Sequence, residues 1–227
     1  MTSRPKRTRA RRGDGEQLRL EIINAVKDLI VEKGSVESVS IRAVAQRVGV
    51  TTPSIYLHFA DKGALLDAVV TDVFAELDVA IMKAAADVAD QSPLTVLRAQ
   101  GLAYIRFAVD HAEHYRVAVM EPCIVPPDVD EVIREGAFAH FMTTVQACMD
   151  AGVFADGDPL PIALDLWTAA HGIAALMIAK PYLPWGSVDE VGDRALCAAA
   201  LGHAAIGLIG TDPTPDAITD WLTAHRP

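Results

Sequence analysis

Residues 40–66, SIRAVAQRVGVTTPSIYLHFADKGALL, constrain this chain more than any other stretch. Ser40 is a good N-cap for an apolar-periodic run from Ile41 to Val48, and Gly49 closes that run. Glycine also permits the left-handed backbone that a sharp turn requires. Thr51 or Thr52 then caps a second helix, with Pro53 in its first turn. Asp61 caps a third helix that begins at Lys62. Two short helices about a tight turn predict a helix-turn-helix. Val44 and Ile55 fall on its inner side with Phe59, and Val50 fills the angle between the helices. The outer side then carries Thr51, Thr52, Ser54, Tyr56 and His58. Hydroxyls of this kind bond phosphate oxygens or base edges, and a threonine methyl can touch a thymine methyl.

Helical periodicity continues through the rest of the chain, so the fold class is all-α. Leu18, Ile22, Ile23, Val26, Leu29 and Ile30 form an apolar stripe that ends at Gly34. Further helices are predicted over 62–88, 93–109, 111–120, 129–151, 162–179, 188–209 and after Pro215. Proline-rich loops are predicted over 121–128 and 156–161.

The net charge of -10 conceals a division. Residues 1–62 hold 12 Lys/Arg against 7 Asp/Glu, whereas 63–227 hold 8 against 23. A basic head on an acidic body implies that only the head meets a polyanion. Arg4, Lys6, Arg7, Arg9, Arg11 and Arg12 form an arm without acids. Such an arm neutralises phosphates, enters a minor groove, or simply solubilises the chain. No apolar h-region follows it, and no uninterrupted apolar run reaches ~18 residues, so neither a signal peptide nor a membrane span is expected. Cys123, Cys148 and Cys197 are odd in number and lack metal spacing, which fits a reduced, cytoplasmic protein.

The segment from about Leu18 to Leu66 resembles the N-terminal domain of TetR-family transcriptional regulators. The resemblance rests on Ile41-Arg42-Ala43-Val44-Ala45, Gly49-Val50-Thr51, Ile55-Tyr56-x-His58-Phe59 and Lys62-x-Ala64-Leu65-Leu66. Pro53 stands where glycine is frequent in the family, and Gly63 where glutamate is frequent. The resemblance implies DNA contacts by Arg42, Thr51, Thr52, Ser54, Tyr56, His58 and Lys62. It also implies a basic arm over 1–14, a DNA-binding domain over 15–62 and a ligand-binding and dimerisation domain over 63–227. The expected protein is a homodimeric, ligand-responsive repressor on a near-palindromic operator, released by a small apolar or amphipathic molecule. Trp167, His171 and Gly172 resemble a Trp…His-Gly signature of one TetR C-terminal subgroup, and His114-Tyr115-Arg116 fits the same subgroup.

The body supports that division independently. Residues 163–178 and 195–209 are apolar nearly all round, so their helices need cover on several sides. Either a second copy supplies part of that cover through helices 162–179 and 188–209, or both helices are central in a monomer. Ligand-pocket candidates are Phe74, Met82, Tyr104, Phe107, His111, Tyr115, Met120, Phe138, Phe141, Met142, Trp167 and His171. Each is equally the kind of residue that builds a core. His111 and His114 lie three apart beside Asp110 and Glu113, but no second ligand cluster accompanies them. No cofactor, metal or membrane partner is expected. Neither a nucleophile elbow nor a glycine-rich phosphate loop is present, so no enzymatic activity is expected.

Overall fold

The computed structural model describes residues 14–120, 136–210 and 213–225. Their regular structure is all helical. The order is α1 (Asp14–Lys33), α2 (Ile41–Val48), α3 (Thr52–Tyr56), α4 (Lys62–Ala86), α5 (Pro93–Asp110), α6 (Ala112–Tyr115), a π-helical turn (Arg116–Met120), α7 (Ala137–Asp150), α8 (Pro159–Ala179), α9 (Val188–Ile209) and α10 (Pro215–Ala224). The basic arm, the loop over 121–128 with Cys123, and the expected helix start over 129–135 lie outside the described residues.

Most boundaries have a visible chemical cause. The Ser40 hydroxyl accepts from the Ala43 N–H at 3.2 Å, and the Asp61 carboxylate accepts from the Ala64 N–H at 2.8 Å. Ser187 and Glu190 form a reciprocal capping box at the start of α9. Asp158 caps α8, whose first residue is Pro159, so this helix starts three residues earlier than the periodicity indicated. The segment over 111–120 forms one α-turn and then a π turn instead of one short helix.

The described residues divide into two compact units. Those up to Glu76, with His111–Met120, form the first, and Leu77–Asp110 with those from Gly136 onward form the second. In the first unit, Ile22, Ile23, Val26, Leu29 and Ile30 of α1 are buried together with Val44, Ala45, Ile55, Phe59 and Leu65. Lys27 is buried among them. Its ammonium donates to Asp72 Oδ2 at 2.9 Å and Glu76 Oε1 at 2.6 Å on α4. Burial alone would lower the Lys27 pKa, but the hydrogen bonds and charges of Glu76 and Asp72 outweigh it and hold the amine above its ordinary value.

In the second unit, α5 packs against α7, α8 and α9. Leu97, Val145, Cys148, Met149, Phe154, Ala163 and Leu166 form one apolar cluster there. Gly101 and Gly192 let α5 and α9 approach closely. A Cβ on Gly101 would lie 2.8 Å from Leu196 Cδ1, and one on Gly192 would lie 3.1 Å from Ile105 Cδ1. Exposed ion pairs, Arg98–Asp193 and Arg106–Asp189, join the same two helices.

The apolar breadth of α8 and α9 is only partly used within one chain. Helix α8 is long and apolar enough to cross a membrane by length and composition, and it buries Ala163, Leu166, Ala170, Ala174 and Met177. Helix α9 buries only Val191, Gly192 and Leu196, all in its first half. Leu164 and Leu176 of α8 and Leu201, Ile206 and Leu208 of α9 are exposed, Leu201 by 70% and Leu208 by 75%.

Candidate nucleic-acid interface and ligand site

The α2–α3 corner is built by backbone chemistry. Gly49 sits in the left-handed region at φ 82°, ψ 30°. The N–H groups of Gly49 and Val50 both donate to the Ala45 carbonyl, at 2.9 and 3.0 Å. This bifurcated closure ends α2 and sends the chain into α3 within three residues. Ile55, with no exposed surface, and Phe59, with 4%, then lock α3 and the turn after it onto the core. Arg19 stacks over the Phe59 ring at 5.3 Å.

Locking that inner side presents the other side to solvent. Arg42, Thr51 and Tyr56 are exposed, and Thr52, Ser54, His58 and Lys62 are half-buried. Thr51 occupies the N-cap of α3, yet its side chain caps nothing; its hydroxyl lies 2.8 Å from that of Ser54. These hydroxyls are therefore held by each other and not by the α3 backbone. Lys62 is the first residue of α4, and its ammonium donates to the Val36 carbonyl at 3.3 Å. Its charge stands at the positive end of the helix dipole, a placement that an anion would relieve.

The arginines of α2 differ in availability. Arg47 is bound by Glu32 and Asp28 of α1, which hold its charge. Arg42 has no acidic partner among the described residues and stays open to a polyanion. Leu57, 85% exposed between Tyr56 and His58, is a member of this surface that the sequence pattern passed over. The signal was present: an apolar residue at an outward position beside two expected contacts fits a thymine methyl.

The pocket candidates do not form one group. Phe74, His111 and Tyr115 belong to the first unit. Tyr115 is fully buried there, and His111 stacks on His114 with ring centroids 6.2 Å apart. Met82, in the second unit, is exposed, and the side chain of Met120 lies outside the described residues. Phe138, Phe141 and Met142 pack partly against the apolar cluster of the second unit.

Tyr104, Phe138, Trp167 and His171 come together through direct contacts. The Tyr104 hydroxyl is 3.3 Å from His171 Nδ1. Trp167 and His171 are one turn apart on α8 with ring centroids at 5.7 Å, and Phe138 meets Trp167 edge-on at 6.1 Å. Phe107 is buried one turn beyond Tyr104 on α5. Burial pushes the His171 pKa below the ordinary histidine value, which keeps the imidazole neutral at pH 7.

Gln100 adds a polar group that the sequence reading missed. It is 3% exposed, and its Oε1 has no hydrogen-bond partner. Leaving such an oxygen unsatisfied costs about 1–3 kcal/mol. The signal available in sequence was a glutamine placed four residues before Tyr104 in an otherwise apolar stretch.

Two family models match this chain. One, described as bacterial regulatory proteins of the tetR family, matches residues 22–69. The other, a tetracyclin repressor-like C-terminal domain, matches residues 97–199. The class A tetracycline repressor protein from transposon 1721 of Escherichia coli is 44% identical over 55 residues, covering 24% of this chain and 25% of its own length. The chain thus spans about a quarter of that curated relative. A solved structure of a protein of unknown function from Rhodococcus sp. RHA1 is similar with a TM-score of 0.72 and 28% identity, covering 82% of this chain and 95% of the other. The structure of RolR with its ligand resorcinol is similar with a TM-score of 0.60 and 16% identity, covering 90% and 98%. With both domain models matched in order and the helix-turn-helix in place, the chain belongs to the TetR family of DNA-binding transcription regulators.

Proposed function

We propose that this protein is a homodimeric repressor that binds a near-palindromic operator and is released from it by a small apolar or amphipathic molecule. The observation that carries the DNA-binding part is the α2–α3 corner. Its buried Ile55 and Phe59 fix a solvent-facing surface of hydroxyl and aromatic side chains. Arg42, Thr51, Thr52, Ser54, Tyr56, His58 and Lys62 are its DNA contacts, with residues 15–62 as the reader and the arm over 1–14 as an added phosphate contact. Two copies would place α3 in successive major grooves, about 34–36 Å apart.

The leucines left open on α8 and α9 support the homodimer, because exposed apolar surface on long helices is removed from water by a second copy. Residues 63–227 are then the sensing and dimerisation domain. Its effector pocket draws on Tyr104, Phe107, Phe138, Phe141, Met142, Trp167 and His171, all in the second unit. The Trp167, His171 and Gly172 pattern supports membership of the Trp…His-Gly subgroup, with the protein working in the cytoplasm. An effector acts by binding the DNA-incompetent state more tightly than the competent one. Helix α4, whose residues belong to both units, carries that change.

A gel-shift series on DNA flanking the coding region tests the reading. Tyr56→Phe and Lys62→Ala should each weaken operator binding about tenfold, and the lysine change should also flatten the salt dependence. Wild-type affinity in both variants overturns the assigned contacts, and no retardation at low salt overturns the regulator reading.

A further inference from the structure

Among the described residues, Lys27 and Gln100 are the buried charged and amide side chains, and they differ sharply. Lys27 has both Asp72 and Glu76. Gln100 has an orphaned Oε1. Within α5, residues 100, 104 and 107 follow the i, i+4, i+7 spacing of one helix face. A helical tyrosine lies back over the turn before its own Cα, which brings the Tyr104 ring toward the Gln100 turn. The Tyr104 hydroxyl in turn meets His171, and Trp167 and Phe138 adjoin His171.

We propose that Gln100, Tyr104 and His171 form the polar edge of a site for a neutral aromatic ligand bearing an O–H or N–H donor, with Phe107, Phe138 and Trp167 as its walls. This rests on the reading of residues 63–227 as the sensing domain and names what that domain senses. An amide oxygen only accepts, so its partner must be a donor. None of the six residues carries a formal acid or base charge at neutral pH, since His171 is held neutral by burial. An ionic ligand would lose its hydration there with no counter-charge among these six residues, which favours a neutral one. The edge-on and tilted ring geometry of Phe138, Trp167 and His171 suits a further flat ring.

Two probes isolate the donor: p-cresol and p-methylanisole, which share ring and methyl group but differ in O–H against O–CH₃. Both are small enough that dissociation constants fall in the millimolar range. Ligand-observed NMR on the full-length protein should show p-cresol binding at least about tenfold more tightly than p-methylanisole, the scale of one donor meeting an otherwise unpaired buried acceptor. In Gln100→Met the preference should fall to within about twofold, with DNA binding in the absence of probe unchanged and a melting transition no lower than that of the wild type. Equal wild-type affinity for the two probes, no p-cresol binding, or an undiminished preference in a folded Gln100→Met protein overturns the proposal. The wild-type comparison decides the donor requirement even where the variant does not fold. A protein that shows the preference but retards no DNA refutes the regulator reading alone. One that retards DNA without the preference refutes this ligand class alone.

Discussion

The α2–α3 corner and the α8–α9 pair reach order by opposite routes. The corner spans few residues, and nearly every one has its partner close in sequence. Ser40 holds the Ala43 N–H, Gly49 and Val50 share the Ala45 carbonyl, and Thr51 pairs with Ser54. Its inner side chains are buried by α1, so its outer surface is defined by one chain. The α8–α9 pair has a strong apolar pattern and good caps, yet a single chain covers only part of it. Leu201 and Leu208 remain in solvent on the second half of α9, where Ala199, Ala200 and Ala204 are only partly buried. A short polar segment can thus be finished by local hydrogen bonds. A long apolar one is finished only by surface from elsewhere.

The largest test of this contrast is on α9. Leu201→Glu with Leu208→Glu should halve the mass in light scattering while the helical circular dichroism persists. Operator affinity should then fall by about 100-fold or more, because two linked heads bind far more tightly than one. A wild-type protein that is already monomeric, or a double variant that stays dimeric, breaks the contrast from the side of the body.

A smaller effect is expected at the corner. Around Gly49 a Cβ meets nothing within 4 Å, so Gly49→Ala costs only the strain of a left-handed alanine at φ 82°. Urea unfolding should show a loss of about 1–2 kcal/mol. A loss of only a few tenths would mean that tertiary packing, and not the backbone, sets the corner. Smallest in stability is Thr51→Ala. An N-cap threonine ordinarily contributes about 1 kcal/mol, but this one makes no capping bond. The expected change in unfolding free energy is under about 0.5 kcal/mol, with operator affinity falling about tenfold in gel shifts. A full capping penalty would show that the threonine serves the fold first.

Much of the first unit was legible in the sequence. The caps at Ser40 and Asp61, the turn at Gly49 and the inward pair Ile55 and Phe59 all follow from residue type and spacing. The surface of α3 follows as the remainder of that pattern, except for Leu57, whose 85% exposure only the structure shows. In the second unit, periodicity predicted the helices but not which large side chains would meet. Twelve aromatic, histidine and methionine candidates looked alike along the chain. Packing separates Tyr104, Trp167 and His171, which touch, from Tyr115, which is fully buried in the first unit. Lys27 has no sequence signal at all. Its partners are 45 and 49 residues away and are reached only when α1 lies on α4.

The sequence by itself determined an all-helical chain with a helix-turn-helix corner, because caps, glycines and helical periodicity act over a few residues and need no distant partner. The tertiary structure alone decided that Lys27 is matched by two acids while the Gln100 oxygen is left without a partner. Burial and hydrogen bonding between helices depend on which faces meet in space, and residues far apart in the chain encode that only jointly.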